Sequence, residues 1–305
     1  MVAADILVIG GGLAGIVTAL EALRAGQRVV LVDRDSPERL GGLALWAFGG
    51  MALVGTPLQA RMKIPDTPER ALADWLRFGE LAADAHWPLQ WARYYVEHSR
   101  SQVYDWLLNE GVKFMPAVNW VERGRYGEGN SLPRYHVVWG TARELVRRMI
   151  AALQATGADG RLTLLHRHRV TQLDHQGGQL KGALAINEIT GTQVELRAPV
   201  VVLAMGGING GHEETRRNWP TNRPRPTQML SGAHPFADGR LHRHAAAQLG
   251  AQIAHAGEMW NYAAGFPHPF PHFEGHGLSL IPRKSALWLD HTGERIGPEP
   301  LVTGF

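Results

Sequence analysis

DILVIGGGLAG at residues 5–15 and VVLVDRD at 29–35 decide the fold. Ile6 to Ile9 is an apolar, β-branched run of the kind a parallel sheet buries on both faces. Gly10, Gly12 and Gly15 then form Gly-x-Gly-x-x-Gly. Residues 13–25 are helical in period, and Gly26 stops them. Residues 28–32 read as a second buried strand with Asp33 at its end. In a dinucleotide site each residue has a task. Gly10 permits the tight turn off the strand, Gly12 leaves the backbone bare for a pyrophosphate, and Gly15 lets helix and strand pack closely. The helix N-terminus offers unpaired N–H groups and a positive dipole end. Asp33 lies 18 residues beyond Gly15, where a carboxylate accepts from ribose hydroxyls. A lone glycine fingerprint is a weak signal. With both strands, the helix and the acid in register it is strong, against the alternative of a tight turn that binds nothing.

Composition bounds the class. The chain has 305 residues, 45% hydrophobic and 19% charged, which are globular values. It contains no cysteine, which excludes disulfides, thiolate metal sites, iron–sulfur ligation, a cysteine nucleophile and a cysteinyl flavin link. That composition suits a cytoplasmic protein. The net charge is +3 with no basic run, so neither a nucleic-acid nor a membrane partner is expected. No apolar run has the length of a membrane span, and no basic region precedes the first strand.

A second glycine cluster follows Asp33: Gly41, Gly42, Leu43, Ala44, Leu45, Trp46, Ala47, Phe48, Gly49, Gly50. Small residues leave its backbone bare on one side, while the interleaved Leu, Trp and Phe argue against mere flexibility. A nicotinamide site needs only the first cluster. A flavin needs a longer cradle, from pyrophosphate to ring.

Together the clusters resemble the FAD-dependent fumarate reductase/succinate dehydrogenase flavoprotein superfamily, and within it the 3-ketosteroid dehydrogenase-like FAD-binding dehydrogenases. The resemblance implies that Gly10, Gly12, Leu13, Ala14, Gly15, Asp33 and Arg34 hold the ADP part of FAD. It implies that Gly41, Gly42, Leu43, Ala44, Gly49 and Gly50 run along the ribityl chain and ring. Ala44 stands where the family commonly has Ser or Thr. No histidine lies in the cluster, where membrane-bound relatives carry a covalent flavin link, so non-covalent FAD is implied. The strand end at Val170 would present backbone to the adenine. Ala204-Met205-Gly206-Gly207 resembles the family's Ala-Thr-Gly-Gly return to the ADP site, and Asp238-Gly239 its Gly-Asp-Gly helix entry. Residues 287–299 resemble the entry to a substrate-capping domain. The resemblance covers the family's first half.

Between these stretches, residues 66–79 read as a helix with an Asp66/Glu69 capping box and a buried stripe of Leu72, Trp75 and Leu76. Residues 87–111 read as further helices, with Trp91, Tyr95, Trp106 and Leu107 on apolar faces. Residues 120–134 are a glycine-rich loop carrying Arg123, Tyr126 and Arg134. His136 and Gly140 match a family His and Gly that open a helix, here from Thr141 to about 156. Residues 161–170 alternate like one strand, with His166 and His168 on one face. Residues 172–196 read as a β-meander and 199–204 as a buried strand. His268, His272 and His276 are spaced in fours, but Pro269 and Pro271 prevent a helix, so no metal is expected.

The expected architecture is α/β: a Rossmann-like FAD-binding domain with a β-meander insertion over residues 1–265, and the beginning of a capping domain over 266–305. The implied function is an FAD-dependent oxidoreductase passing hydride between flavin and a substrate carbon next to a carbonyl or carboxylate. Arg134, His136 and Tyr126 are the candidates for the paired proton. The partners are a small molecule, bulky and apolar by the aromatic content, and an unidentified electron acceptor. The rival readings are a nicotinamide-only dehydrogenase and a non-catalytic or truncated FAD-binding module.

Overall fold

Neither strand bracketing the glycine turn carries a polar residue, so each needs a place buried on both faces. In the computed structural model, which describes residues 1–82, 84–120, 128–177, 179–261, 265–279 and 289–295, they form the middle of a four-stranded sheet. In chain order the first elements are β1 (Val2–Ala3), β2 (Ile6–Ile9), α1 (Leu13–Arg24), β3 (Val29–Val32), β4 (Gly50–Ala52), α2 (Pro57–Arg61), α3 (Pro68–Phe78), α4 (His86–His98), α5 (Trp106–Asn109) and β5 (Tyr135–Val137). There follow α6 (Thr141–Thr156), β6 (Leu162–Leu165), β7 (His168–Gln176), β8 (Gln179–Asn187), β9 (Gln193–Arg197), β10 (Val200–Leu203), α7 (His212–Arg217), α8 (Arg240–Leu249), β11 (Gly265–Pro267) and β12 (Gly277–Ser279).

The central sheet has the order β10-β2-β3-β6 and is parallel throughout. Its register aligns Leu203, Ile9, Val32 and Leu165 at one edge. Gly10, Asp33 and Ala204 therefore leave the carboxyl ends of three adjacent strands side by side, where open α/β sheets bind ligands. A second sheet, β1-β9-β8-β7, is the expected meander, extended by the parallel pairing of β1 with β9. Leu7, Ile9, Val30 and Val32 pack with Leu173, Ala183, Ala185 and Leu196 of the meander and Ala245 of α8 in one core. Burial of each large aliphatic side chain there contributes about 1.5–3 kcal/mol. On α1, Ile16, Ala19, Leu20 and Leu23 are buried at helical spacing.

The chain divides into two compact units, Met1–Trp46 with Val146–Leu280, and Ala47–Leu145 with the described residues beyond 280. The second is an insertion between β3 and β6, built on α2–α5 and the antiparallel pair β4–β5. Leu53, Leu58, Tyr104 and Val118 form one of its cores, and Val54, Ala71 and Val96 another.

Several local expectations are corrected. Residues 161–170 are not one strand: β6 ends at Leu165, Arg167 takes a left-handed turn (φ 61°), and β7 starts in the other sheet. The cap of α3 is Thr67, which accepts from the Arg70 N–H, because the Asp66 carboxylate is taken by Arg134. A capping box does form, on α2, between Thr56 and Gln59. The buried positions of α3 are Ala71 and Asp74, whereas Trp75 is 40% exposed. Trp91 is 66% exposed, so the stripe of α4 that faces inward is Ala92 and Val96. Among the described residues no helix is long and apolar enough to cross a membrane.

Candidate functional site

One cavity of about 740 Å³ opens at the carboxyl ends of the parallel strands in the first unit. That lies within the ~300–1,000 Å³ of ordinary ligand pockets. It is lined by Gly10, Gly12, Leu13, Ala14, Asp33, Arg34, Gly41, Gly42, Leu43, Ala44, Val170, Ala204, Gly206, Gly207 and Asp238. Thus six separated sequence stretches, each expected to touch a dinucleotide, converge on one space. Gly15 lies behind it. A Cβ on Gly15 would overlap the Gly10 carbonyl, and one on Gly10, whose φ is 109°, would overlap the Ala204 carbonyl. A Cβ on Gly12 or Gly206 would meet no atom within 4 Å. Two of these glycines therefore serve protein packing, and two leave backbone open to a ligand.

Gly12 caps α1 without a side-chain hydrogen bond, and no acid stands in the first turn. The free N–H groups and dipole of a 12-residue helix thus point to the cavity end, a site for an anion. Asp33 is fixed beside it: the Gly11 N–H donates to Oδ2 at 2.6 Å and the Asp35 N–H to Oδ1 at 2.8 Å. Each carboxylate oxygen keeps a lone pair for a ribose hydroxyl. Arg34 is held by Glu188 at 2.8 Å and Asp238 at 3.1 Å, with its guanidinium 4.2 Å from the Phe236 ring centre. Burial would raise the Glu188 carboxyl, but Arg34 and Arg169 outweigh it and hold it below the usual range.

Val170 owes its place to strand alternation. Asn187 gives its N–H to Thr192 and its carbonyl to Gly191, so the opposite pair His168–Asn187 is not hydrogen bonded. Arg169–Ile186 is then the bonded pair, and the Val170 peptide faces away from β8. Val170 sits on an edge strand and lines the cavity, so a flat heterocycle can pair with its main chain.

Not every candidate joins this site. Gly49 and Gly50 belong to the second unit. A Cβ on Gly49 would press on the Ala142 backbone, and one on Gly50 would overlap the Tyr135 ring. Their bare backbone is filled by the protein itself. Arg134 and His136 also lie in the second unit. Arg134 is 5% exposed and binds Asp66 at 2.8 Å, Asp74 at 2.6 Å and the Asn130 side chain at 2.8 Å. Burial would lower its pKa, but the two carboxylates raise it further, so it holds its proton permanently. His136 is wholly buried. Its Nδ1–H donates to the Arg134 carbonyl at 2.7 Å, and the Thr56 hydroxyl donates to Nε2 at 2.7 Å. Both nitrogens are occupied, and desolvation pushes the ring's pKa down. Both side chains are buried and engaged within the protein. Tyr126, like Arg123, lies outside the described residues.

The structure adds residues that sequence reasoning missed. His168 and Arg169 precede Val170 in the cavity wall, and His242 follows Asp238-Gly239 in the first turn of α8, where its Nε2 meets the Gly206 carbonyl at 3.1 Å. Adjacency to residues already singled out could have found these three. His234 and Asn209 also line the cavity, and no local pattern marks them.

Comparison with known proteins agrees with this geometry. Residues 5–300 match the FAD binding domain family. A KsdD-like steroid dehydrogenase of Mycobacterium tuberculosis is 39% identical over 99% of this chain and 56% of its own length. One from Mycolicibacterium smegmatis is 37% identical over 100% of this chain and 58% of its own. The chain thus spans about half the length of these relatives. The crystal structure of 3-ketosteroid-Δ4-(5α)-dehydrogenase from Rhodococcus jostii, in complex with 4-androstene-3,17-dione, superposes with a TM-score of 0.69 at 26% identity, covering 84% of this chain and 55% of that one. Open backbone at Gly12 and Gly206, the uncapped helix end and the placed acid fit FAD, and the cofactor of the matching family decides against a nicotinamide-only site. Because the match runs through both compact units and not the glycine loop alone, the chain belongs to the FAD binding domain family.

Proposed function

We propose that this chain is the FAD-binding part of a flavin-dependent dehydrogenase whose substrate is bulky, apolar and steroid-like. The observation that carries the reading is the cavity at the strand ends, with glycine backbone left open where phosphates approach. The steroid dehydrogenase relatives support the substrate class. Bound FAD would supply hydride exchange with a carbon next to a carbonyl or carboxylate. This chain's residues would bind and orient. The first N–H groups of α1 hold the pyrophosphate, Asp33 accepts from a ribose, the Val170 peptide pairs with the adenine, and Gly42–Ala44 lie along the remainder. Binding is non-covalent. Residues 1–265 are the FAD-binding domain in this proposal, and 266–305 begin a domain that covers the substrate. Arg134, His136 and Tyr126 are the proposed candidates for the paired proton. The electron acceptor is a separate partner, and a cytoplasmic location completes the proposal.

The absorption spectrum of the purified chain, with and without added FAD, tests it. Flavin bands that stay with the protein and are released by denaturant are expected. A chain that remains colourless after incubation with FAD overturns the reading. Titration of 4-androstene-3,17-dione into the flavin-loaded chain tests the substrate class, a shift of the flavin bands being expected.

A further inference from the structure

Gly42–Ala44 line the cavity, yet their 3₁₀ turn, Gly42–Trp46, has no residue buried in the core. A segment restrained only by its own backbone loses conformational entropy when a ligand orders it, and affinity falls accordingly. Two anchors prevent this. At the start, the Gly41 N–H donates to the Gly11 carbonyl at 2.8 Å. At the end stands Trp46. Its indole lies parallel to two imidazoles, His234 with ring centres 5.4 Å apart and His272 at 4.9 Å, each within 7°. The Arg39 guanidinium is 5.2 Å from the Trp46 ring centre.

These contacts are themselves fixed. Asp35 accepts from Arg39 Nε at 3.0 Å and from His234 Nε2 at 3.1 Å. The other nitrogen of His234 accepts from the Phe236 N–H at 3.3 Å. On the far side in sequence, His272 lies in the loop joining β11 to β12, where its N–H donates to His276 Nδ1 at 3.2 Å. His276 in turn stacks on His268 at 4.3 Å and is buried.

We propose that Trp46 is a positioning residue for the cofactor. Ring contacts from His234, Arg39 and the 268–276 loop hold it, and it holds the Gly42–Ala44 turn at the cavity wall. The proposal rests on the FAD-binding reading. Trp46 does not itself line the cavity, and His234, its one ring partner that does, is also held by Asp35 and the Phe236 N–H, so removal of Trp46 acts chiefly on how firmly the turn is set.

The test compares the full chain with Trp46→Ala, Trp46→Phe and His272→Ala, by quenching of FAD fluorescence on titration and by thermal unfolding without FAD. Trp46→Ala is expected to bind FAD about 10- to 100-fold more weakly. Trp46→Phe, which keeps a ring for stacking, should recover most of the affinity. His272→Ala touches no cavity residue and should lose about threefold. Unfolding temperatures of the three ligand-free variants should stay within a few degrees of the parent. Unchanged affinity in Trp46→Ala overturns the inference and leaves the FAD reading standing. Equal loss in the Ala and Phe variants also overturns it, because lost stacking would not be the cause. A parent chain that binds no FAD overturns both.

Discussion

Gly12 in the first unit and Gly50 in the second give the same sequence signal and have opposite structural meanings. Both sit in glycine-rich stretches that read as a cofactor cradle. A Cβ on Gly12 would point into open space, while one on Gly50 would overlap the Tyr135 ring. The charged groups differ in the same way. Arg34 and Asp238 stand at a cavity and are about a quarter exposed, whereas Arg134, Asp66 and Asp74 are sealed in the second unit. Gly12 and the Arg34–Asp238 pair of the first unit stand where a ligand can reach them, while Gly10 and Gly15 beside them pack on backbone. Gly50 and the Arg134 cluster of the second unit are met by the protein itself. Residue type at a given spacing does not separate the two uses, and only the atoms facing the residue do.

The sharpest way to break this comparison is to perturb each unit and measure both properties. Arg134→Leu leaves Asp66 buried without its cation and Asp74 with Arg77 alone. Removing one partner of a buried ion cluster costs about 3–5 kcal/mol. Urea unfolding should show that loss, with FAD affinity of the folded protein changed little. An Arg134→Leu chain as stable as the parent would remove the ion cluster from the account. Gly12→Asp should do the reverse. Its φ of −70° suits any residue and its Cβ meets nothing, so stability should stay within about 0.5 kcal/mol. A carboxylate beside the uncapped helix end would repel the pyrophosphate, and FAD affinity should fall ~100-fold or more. FAD titration of this variant checks the anion site directly.

Gly50→Ala separates the two meanings of glycine more finely. The Tyr135 ring must move to admit the methyl, at a cost of about 1–3 kcal/mol. Stability read from a urea titration should drop by that amount. If FAD affinity fell while stability held, Gly50 would belong to the cofactor after all.

The first unit was largely legible because its sequence signals are local and coincide. A turn that needs Gly10, a helix that needs an anion at its end and an acid at the end of β3 lie within 29 residues, Asp5 to Asp33. The parallel register then brings Ala204 beside Gly10. The second unit was less legible because its organising contacts are long-range. Asp66 looked like a helix cap by spacing, but Arg134, 68 residues away, takes its carboxylate, and Thr67 caps instead. His136 became a candidate through the resemblance of His136 and Gly140 to a family His and Gly, with a hydrogen-bonded core histidine as the alternative. The capping box that brings Thr56 to it was not read, and Tyr104 and Phe114 close over its ring edge-on. Exposed Trp75 and Trp91 mark the same limit: aromatic periodicity shows that a helix has an apolar stripe, not that the stripe is covered.

The smallest effect expected is one of pH, and it tests whether His136 is structural. Desolvation is the largest influence on its ring and lowers the pKa, against smaller upward effects of the Arg134 carbonyl and Asp66. The folded pKa therefore lies below the unfolded value of about 6.5. As pH falls through ~6.5 the unfolded chain takes up a proton that the folded chain refuses. Stability contributed by neutral His136 is full above that pH and declines below it, by up to ~1.4 kcal/mol per pH unit until the folded pKa is reached. His166 and His276 are lowered by burial as well, so the parent chain alone does not isolate one ring. The informative quantity is the difference between parent and His136→Gln in urea unfolding between pH 5 and 7. Glutamine titrates nowhere in that range, so the variant should lose part of the acid slope while starting from lower stability. Parallel curves for the two proteins would mean that His136 is protonated freely in the fold, and would return it to the list of groups able to move a proton.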